Sequence, residues 1–421
     1  MTSVHFLLKC RCPALLLLAA VLGLLVATTQ PACGQTLTTL YSFTGGTAGV
    51  YPNGGLVIDA QGNLYGTTLY GGWVTKWRPG GYGTVFELAP TGAETVLHSF
   101  HHYPGGKYPH AGLVMDAQGN LYGTTYQGGT GSTCSGWRRG CGTVFEVAPG
   151  GAEKVLYSFQ GWPDGQHPEA SLIMDGQGNL YGTTFHGGYR KRSCRGSGRR
   201  ASFTCGTVFE VTAAGPEKVL YMFAGPPNDG VWPTGGLVMD AQGNLYGTTQ
   251  SGGAYGYGTV FKLSPAGTET VLYNFTGGTD GAGPGSLVVD AQGNLYGTTS
   301  GGGVYRSGTV FEITSNGIEK VLYNFTGGAD GNGPDNLIVN LQGGFYGITG
   351  GGGAYGYGTV FELTSNATET VLYSFTGGAD GRGPRGLIMD AQGNLYGATY
   401  MGGVSNSKCP SGCGTVFKLI P

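Results

Sequence analysis

DAQGNLYGTT at residues 59–68, GTVFEL at 83–88 and ETVLHSF at 94–100 decide the fold, because the chain repeats them in this order to its end. The first string recurs at 116–125, 240–249 and 290–299. Variants stand at 175–184 (DGQGNLYGTT), 340–349 (NLQGGFYGIT) and 390–399 (DAQGNLYGAT). GTVF begins at 83, 142, 206, 258, 308, 358 and 414, and VLYSF-type strings end at Phe100, Phe159, Phe223, Phe275, Phe325 and Phe375. A seventh, LYSF, ends at Phe43, ahead of the first full unit. Successive ends lie 50 to 64 residues apart, a spacing that suits propeller blades better than solenoid coils.

Each unit reads as four short strands rich in Val, Leu, Tyr and Phe, bounded by glycine-bearing turns. In the first unit strand a covers 56–59, strand b 63–68, strand c 83–88 and strand d 94–100. Ala60-Gln61-Gly62 is a three-residue hairpin with Gly62 in the left-handed position, and residues 89–93 form the next, with Pro90 and Gly92 as turn formers. The Asp that opens DAQGN, replaced by Asn340 in the sixth unit, repeats too often to do chemistry and is expected to accept backbone N–H bonds in its hairpin. Four antiparallel strands seven times over predict an all-β, seven-bladed β-propeller. The chain starts on a strand d and ends on a strand c, so the N-terminal strand is expected to complete the last blade and close the ring. The units run 44–100, 101–159, 160–223, 224–275, 276–325, 326–375 and 376–421 plus 36–43, one domain over 35–421.

Composition fits this reading. Glycine accounts for 86 of 421 residues without a three-residue period, which excludes collagen, and 40% hydrophobic content excludes a disordered chain. A net charge of −2 excludes a generally basic nucleic-acid binder. Residues 1–34 read as a signal peptide: Lys9 and Arg11 precede an apolar run over 14–27, and Ala32-Cys33-Gly34 fits a cleavage site. The rival reading is a lipid on Cys33, which the preceding Gln30-Pro31-Ala32 does not favour. Without Cys10, Cys12 and Cys33, six of the nine cysteines remain. They pair by proximity as Cys134 with Cys141, Cys194 with Cys205 and Cys409 with Cys413, each second Cys directly before a GTVF strand; disulfides at loop necks are expected. No later segment is apolar enough to span a membrane, so a secreted, extracytoplasmic monomer is expected.

Function is sought where the repeats differ. The a–b and c–d turns keep their lengths, whereas the b–c loops on the other face run 14, 16, 21, 8, 8, 8 and 14 residues. All five tryptophans (Trp73, Trp77, Trp137, Trp162, Trp232) lie in b–c or d–a loops. Of the 20 Lys and Arg after residue 34, ten lie in the b–c loops of blades 1 to 3. The candidate ligand-binding residues are Trp73, Trp77, Arg78, Trp137, Arg138, Arg139, Trp162, Arg190, Arg192 and Trp232. Indole faces stack and guanidinium forks take anionic groups, so a polysaccharide or another cell-envelope polymer is the expected ligand, with a protein partner next. No cofactor and no metal are expected: the paired cysteines sit on different blades, and the Asp-Gly loops at Asp164, Asp229, Asp280, Asp330 and Asp380 lack the spaced ligands of a calcium loop. The alternatives are a structural array and an extracellular lyase or hydrolase using His101, His102 or His186 with a loop arginine; His110 and His167 share that face. An enzyme would gather unrepeated titratable groups near the axis, and a binder would show an aromatic and basic strip along the loop wall.

The strings DAQGNLYGTT, GTVFEL and ETVLYSF, in this order over residues 36–421, resemble the Gloeobacter/Verrucomicrobia (GloVer) tandem repeat of bacterial choice-of-anchor proteins. The resemblance implies export and a surface or secreted location. It brings no activity and no catalytic residues. No hydrophobic or sorting tail follows Leu419, a departure from anchored members that favours release.

Overall fold

In the computed structural model, residues 35–75, 80–101, 104–131, 134, 140–191, 194, 204–213, 215 and 217–421 are described. The proposed signal peptide lies outside them, and one compact unit covers Gln35–Pro421. Seven antiparallel sheets follow the order a-b-c-d. In blade 5 they are Ala282–Val289, Leu295–Gly301, Thr309–Ile313 and Glu319–Asn324. Strands a of neighbouring blades touch one another, which places them at the axis and strands d outside. Blade 7 is closed by the N-terminus: Thr36–Ser42 pairs antiparallel with Thr415–Ile420, as the spare terminal strand required.

The repeat strings act as one packing unit. Every blade interface holds a phenylalanine from the end of strand d edge-on to one from strand c of the next blade, from Phe43–Phe86 at 5.1 Å to Phe375–Phe417 at 5.2 Å. Both rings of each pair are fully buried. The strand-b glycine of LYG makes room for them: a Cβ on Gly247 would stand 2.7 Å from Phe261 Cζ and 2.8 Å from Leu237 Cδ2. Strands b and c are further joined by buried threonine pairs, such as Thr68 with Thr84 at 2.8 Å. The hairpin Asp does what its position suggests. Asp59 Oδ1 accepts from the backbone N–H of Gln61 and Asn63 (2.9 and 2.8 Å), and Oδ2 from Asn63 Nδ2 and the Tyr65 hydroxyl (2.7 and 3.0 Å). Burial alone would raise this carboxyl, but those bonds outweigh it and hold the group below its usual range.

One expected boundary is corrected. Strand a starts further upstream than its hydrophobic run, because residues assigned to the d–a loop also pair with strand b. In blades 5 to 7 it is continuous but bulged, with register shifts at Pro284/Leu287, Asp335/Leu337 and Arg385/Leu387. In blades 1 to 4 one extra residue splits it in two, as in Val50–Pro52 and Val57–Ile58. The interrupting Pro and Gly hid this pairing from a reading of apolar runs.

Candidate functional site

The three disulfides form as paired from the sequence, with Cα–Cα distances of 5.4, 5.0 and 5.2 Å. Each is buried in an apolar cluster between blades, so the long loops are fixed at their necks. Such bridges are consistent with an oxidising compartment. No helix among the described residues is long and apolar enough to cross a membrane.

The expected Trp and Arg wall is only partly placed. Trp77, Arg78, Trp137, Arg138, Arg139 and Arg192 lie outside the described residues. Trp73 and Trp162 are exposed on blades 1 and 3, and Arg190 is exposed and bridged to Thr204. Trp73 tilts against His101 at 5.1 Å, and Trp232 stacks on Phe185 at 5.5 Å. Of the expected residues that are described, Trp232 alone joins the larger aromatic assembly at the axis.

That assembly grows from three positions at which the repeats diverge. The residue before the strand-a proline is Tyr51, Tyr108, His167 or Trp232 in blades 1 to 4 and Gly283, Gly333 or Gly383 in blades 5 to 7. All seven share one left-handed backbone, φ 57° to 62°. Glycine takes this conformation freely, whereas the aromatic residues hold it under strain, a strain that clusters at functional sites in proteins. Immediately after the last strand-b Thr, blades 2, 3 and 7 carry Tyr126, Phe185 and Tyr400, and Tyr70 stands one place later in blade 1. These side chains meet in an arc over the axial end of blades 7, 1, 2, 3 and 4. Tyr400 stacks on Tyr51 (4.9 Å), Tyr51 meets Tyr70 edge-on (6.1 Å) and Tyr70 meets Tyr108 (5.4 Å). Further round, Tyr126 lies between His110 (4.8 Å) and His167 (4.4 Å), His167 faces His186 (5.8 Å), and Phe185 joins His186 to Trp232. On blades 5 and 6 the same positions hold Ser300, Gly350, Gly283 and Gly333, so the arc faces a wall of small residues.

The third position follows the strand-a proline: Asn53, His110, Glu169, Thr234, Gly285, Asp335 and Arg385, seven different residues at one place in a near-identical repeat. All seven are half-buried. Burial pushes Glu169 up to about 7 and pulls His110 down; it also takes His167 and His186 down to about 4, His167 with help from its neighbouring histidines. At neutral pH the imidazoles are therefore uncharged. Four polar nitrogens of the arc are buried without a hydrogen-bond partner: His167 Nδ1, His186 Nδ1, Trp232 Nε1 and Arg385 Nε. Among the described residues no group of three or more His, Cys, Asp or Glu is placed to hold a metal ion. The Asp-Gly loops are held by internal bonds; Asp280 Oδ2 accepts from the Tyr273 hydroxyl (3.1 Å) and the Thr276 N–H (2.7 Å).

The sequence analysis looked to the face that carries this arc, but to its rim and not to its centre. Loop length, tryptophan and arginine drew attention outward. The usable signal was column-wise: aligning the seven units exposes three variable columns beside an invariant Pro and an invariant Thr.

The fold is a closed seven-bladed propeller with an arc of aromatic side chains around the mouth at one end of its axis. The chain belongs to the family of the Gloeobacter/Verrucomicrobia repeat, whose model matches residues 22–193, 131–344 and 320–421. No curated protein matches it. Among solved structures it is similar to virginiamycin B lyase from Staphylococcus aureus (15% identity, TM-score 0.58, covering 92% of this chain and 99% of that one). It is also similar to the extracellular domain assigned to a hybrid two component system of B. thetaiotaomicron (12%, TM-score 0.55, 92% of this chain and 41% of that one). At these identities the likeness concerns the fold alone.

Proposed function

We propose that this is a secreted propeller that binds a polysaccharide or related cell-envelope polymer, with the axial mouth as its principal site. The observation that carries the reading is the set of four aromatic residues in left-handed backbone where the other blades use glycine. A strained conformation kept for its side chain supports a role for the side chain beyond folding. Flat rings with polar edges suit sugars, whose C–H faces pack on the ring face while their hydroxyls bond to polar groups at the ring edges. Export through the N-terminal segment would place the mouth outside the cell, and the exposed Trp73, Trp162 and Arg190 would extend the contact along the rim. A thermal-shift screen of residues 35–421 against neutral and acidic polysaccharides tests the reading, because a ligand selective for the folded state raises the melting temperature. No shift across the panel would count against a glycan ligand.

A second reading has its own support. Unrepeated His110, Glu169, Asp335 and Arg385 near the axis are what an enzyme site would gather, and Glu169, half-protonated near neutrality, suits proton transfer. Under this reading, chain cleavage by the wild type, lost in Glu169→Gln, would be seen by chromatography of the digested polymer. Polymer bound and recovered uncut would leave the binding reading alone.

A further inference from the structure

We infer that Arg385 is an anion subsite of this mouth, which takes the ring carboxylate of an acidic sugar; this rests on the glycan-binding reading above. Arg385 lies in the bulge of strand Arg382–Met389, which turns its side chain out of the regular alternation. Its guanidinium lies over Tyr400, 5.6 Å from the ring centre, and Tyr400 is stacked in turn on Tyr51. This cation–π contact holds the guanidinium beside the ring and leaves N–H groups for a carboxylate. Among the described residues no acid takes that edge: Nε is buried without a partner, and no ion pair holds the group. The flanking blades are turned away. Asp335 Oδ1 is occupied by the Asn336 N–H (2.8 Å) and points toward blade 5, where a Cβ on Gly285 would lie 3.4 Å from it. Asn53 donates to the His110 carbonyl (3.1 Å) in blade 2.

Among the seven residues at this position Arg385 is the one cation at neutral pH, since burial keeps His110 neutral. In a chain of net charge −2, an unpaired arginine beside stacked tyrosines combines the two contacts that a uronate requires. The sugar ring lies on tyrosine, and the carboxylate borne on that ring meets the guanidinium in a two-pronged, charge-assisted bond.

The test is calorimetric titration of residues 35–421 with trigalacturonate and with its fully methyl-esterified form, which keeps the rings and loses the charge. Wild type should bind the acid at least tenfold more tightly than the ester. Arg385→Gln should remove that preference and leave ester binding unchanged, Arg385→Lys should keep part of it, and Tyr51→Gly should weaken both ligands. Equal binding of acid and ester by wild type, or an undiminished preference in Arg385→Gln, would overturn the subsite and leave the glycan reading standing. Binding of neither ligand would overturn the subsite, and the wider polysaccharide screen would then judge the glycan reading separately. If Arg385→Gln does not fold, Arg385→Lys carries the test, and an undiminished preference there would likewise overturn the subsite.

Discussion

Phe43→Ala tests whether the ring is closed by its own N-terminus. Phe43 is the ninth residue of the compact unit, yet it is fully buried, 5.1 Å from Phe86 and packed with Leu56, Leu64 and Val416. Phe275 has the same relation to Phe311 at 5.1 Å, between blades 4 and 5, where no chain end is involved. Removing a ring from such a site costs about 3–5 kcal/mol, through lost burial and the cavity left behind. A closed ring makes the two sites equivalent, so Phe43→Ala and Phe275→Ala should lose similar stability. A frayed terminal strand would make Phe43→Ala nearly silent, within about 0.5 kcal/mol, as for surface substitutions. The assay is urea unfolding of both variants followed by circular dichroism, comparing midpoints at unchanged slope. A midpoint for Phe43→Ala indistinguishable from wild type, beside a large fall for Phe275→Ala, would refute closure through the first strand.

Three further outcomes follow from the packing and the buried acids. Gly247→Ala places a methyl group 2.7 Å from Phe261 Cζ, so it should cost about 1–3 kcal/mol by overpacking, while Gly176→Ala, with nothing within 4 Å, should be silent in the same unfolding assay. Glu269, at the start of strand d, has a buried Oε1 without a partner, and burial, with Asp229 nearby, pushes its carboxyl up to about 7. Because its folded value lies above the unfolded 4.5, its favourable contribution is complete below about pH 4.5 and is lost as pH rises through about 7. The wild-type melting temperature should therefore fall relative to Glu269→Gln between pH 5 and 8, and a constant difference would exclude the effect; opposing histidine titrations cancel in this comparison. Reduction of the three disulfides should lower the melting temperature, since each closes a loop only in its bridged form, and an unchanged melt would deny them a role in stability.

The fold was legible because its determinants are local and repeated. Asp59 with Gly62 announces a hairpin, and Phe100, Gly123 and Phe145 together write a blade interface into every unit. The cysteine pairs were readable for the same reason, each lying within a single loop. The mouth was not, because it is assembled from different blades: Tyr400 and Tyr51 are far apart in sequence and stack only when the ring closes. Its members are also ordinary residues. A tyrosine before a proline reads as strand edge, and the left-handed backbone that sets Tyr51 and Trp232 apart has no local signature in side chains that rarely adopt it. Arg385 gave no sign of the role inferred for it, since its isolation from acids is a property of how Asp335 is turned.

The central claim is that the aromatic residues in left-handed backbone are kept to bind a ligand. Gly283, Gly333 and Gly383 hold the same φ, so glycine is compatible with the backbone at this position. The most direct measurement is polysaccharide affinity and melting temperature of the double variant Tyr51→Gly, Trp232→Gly against wild type. The account predicts a fold as stable as wild type within a few degrees and at least a tenfold loss of affinity. Retained affinity, or loss of the fold in place of the affinity, would contradict it and assign these side chains to packing.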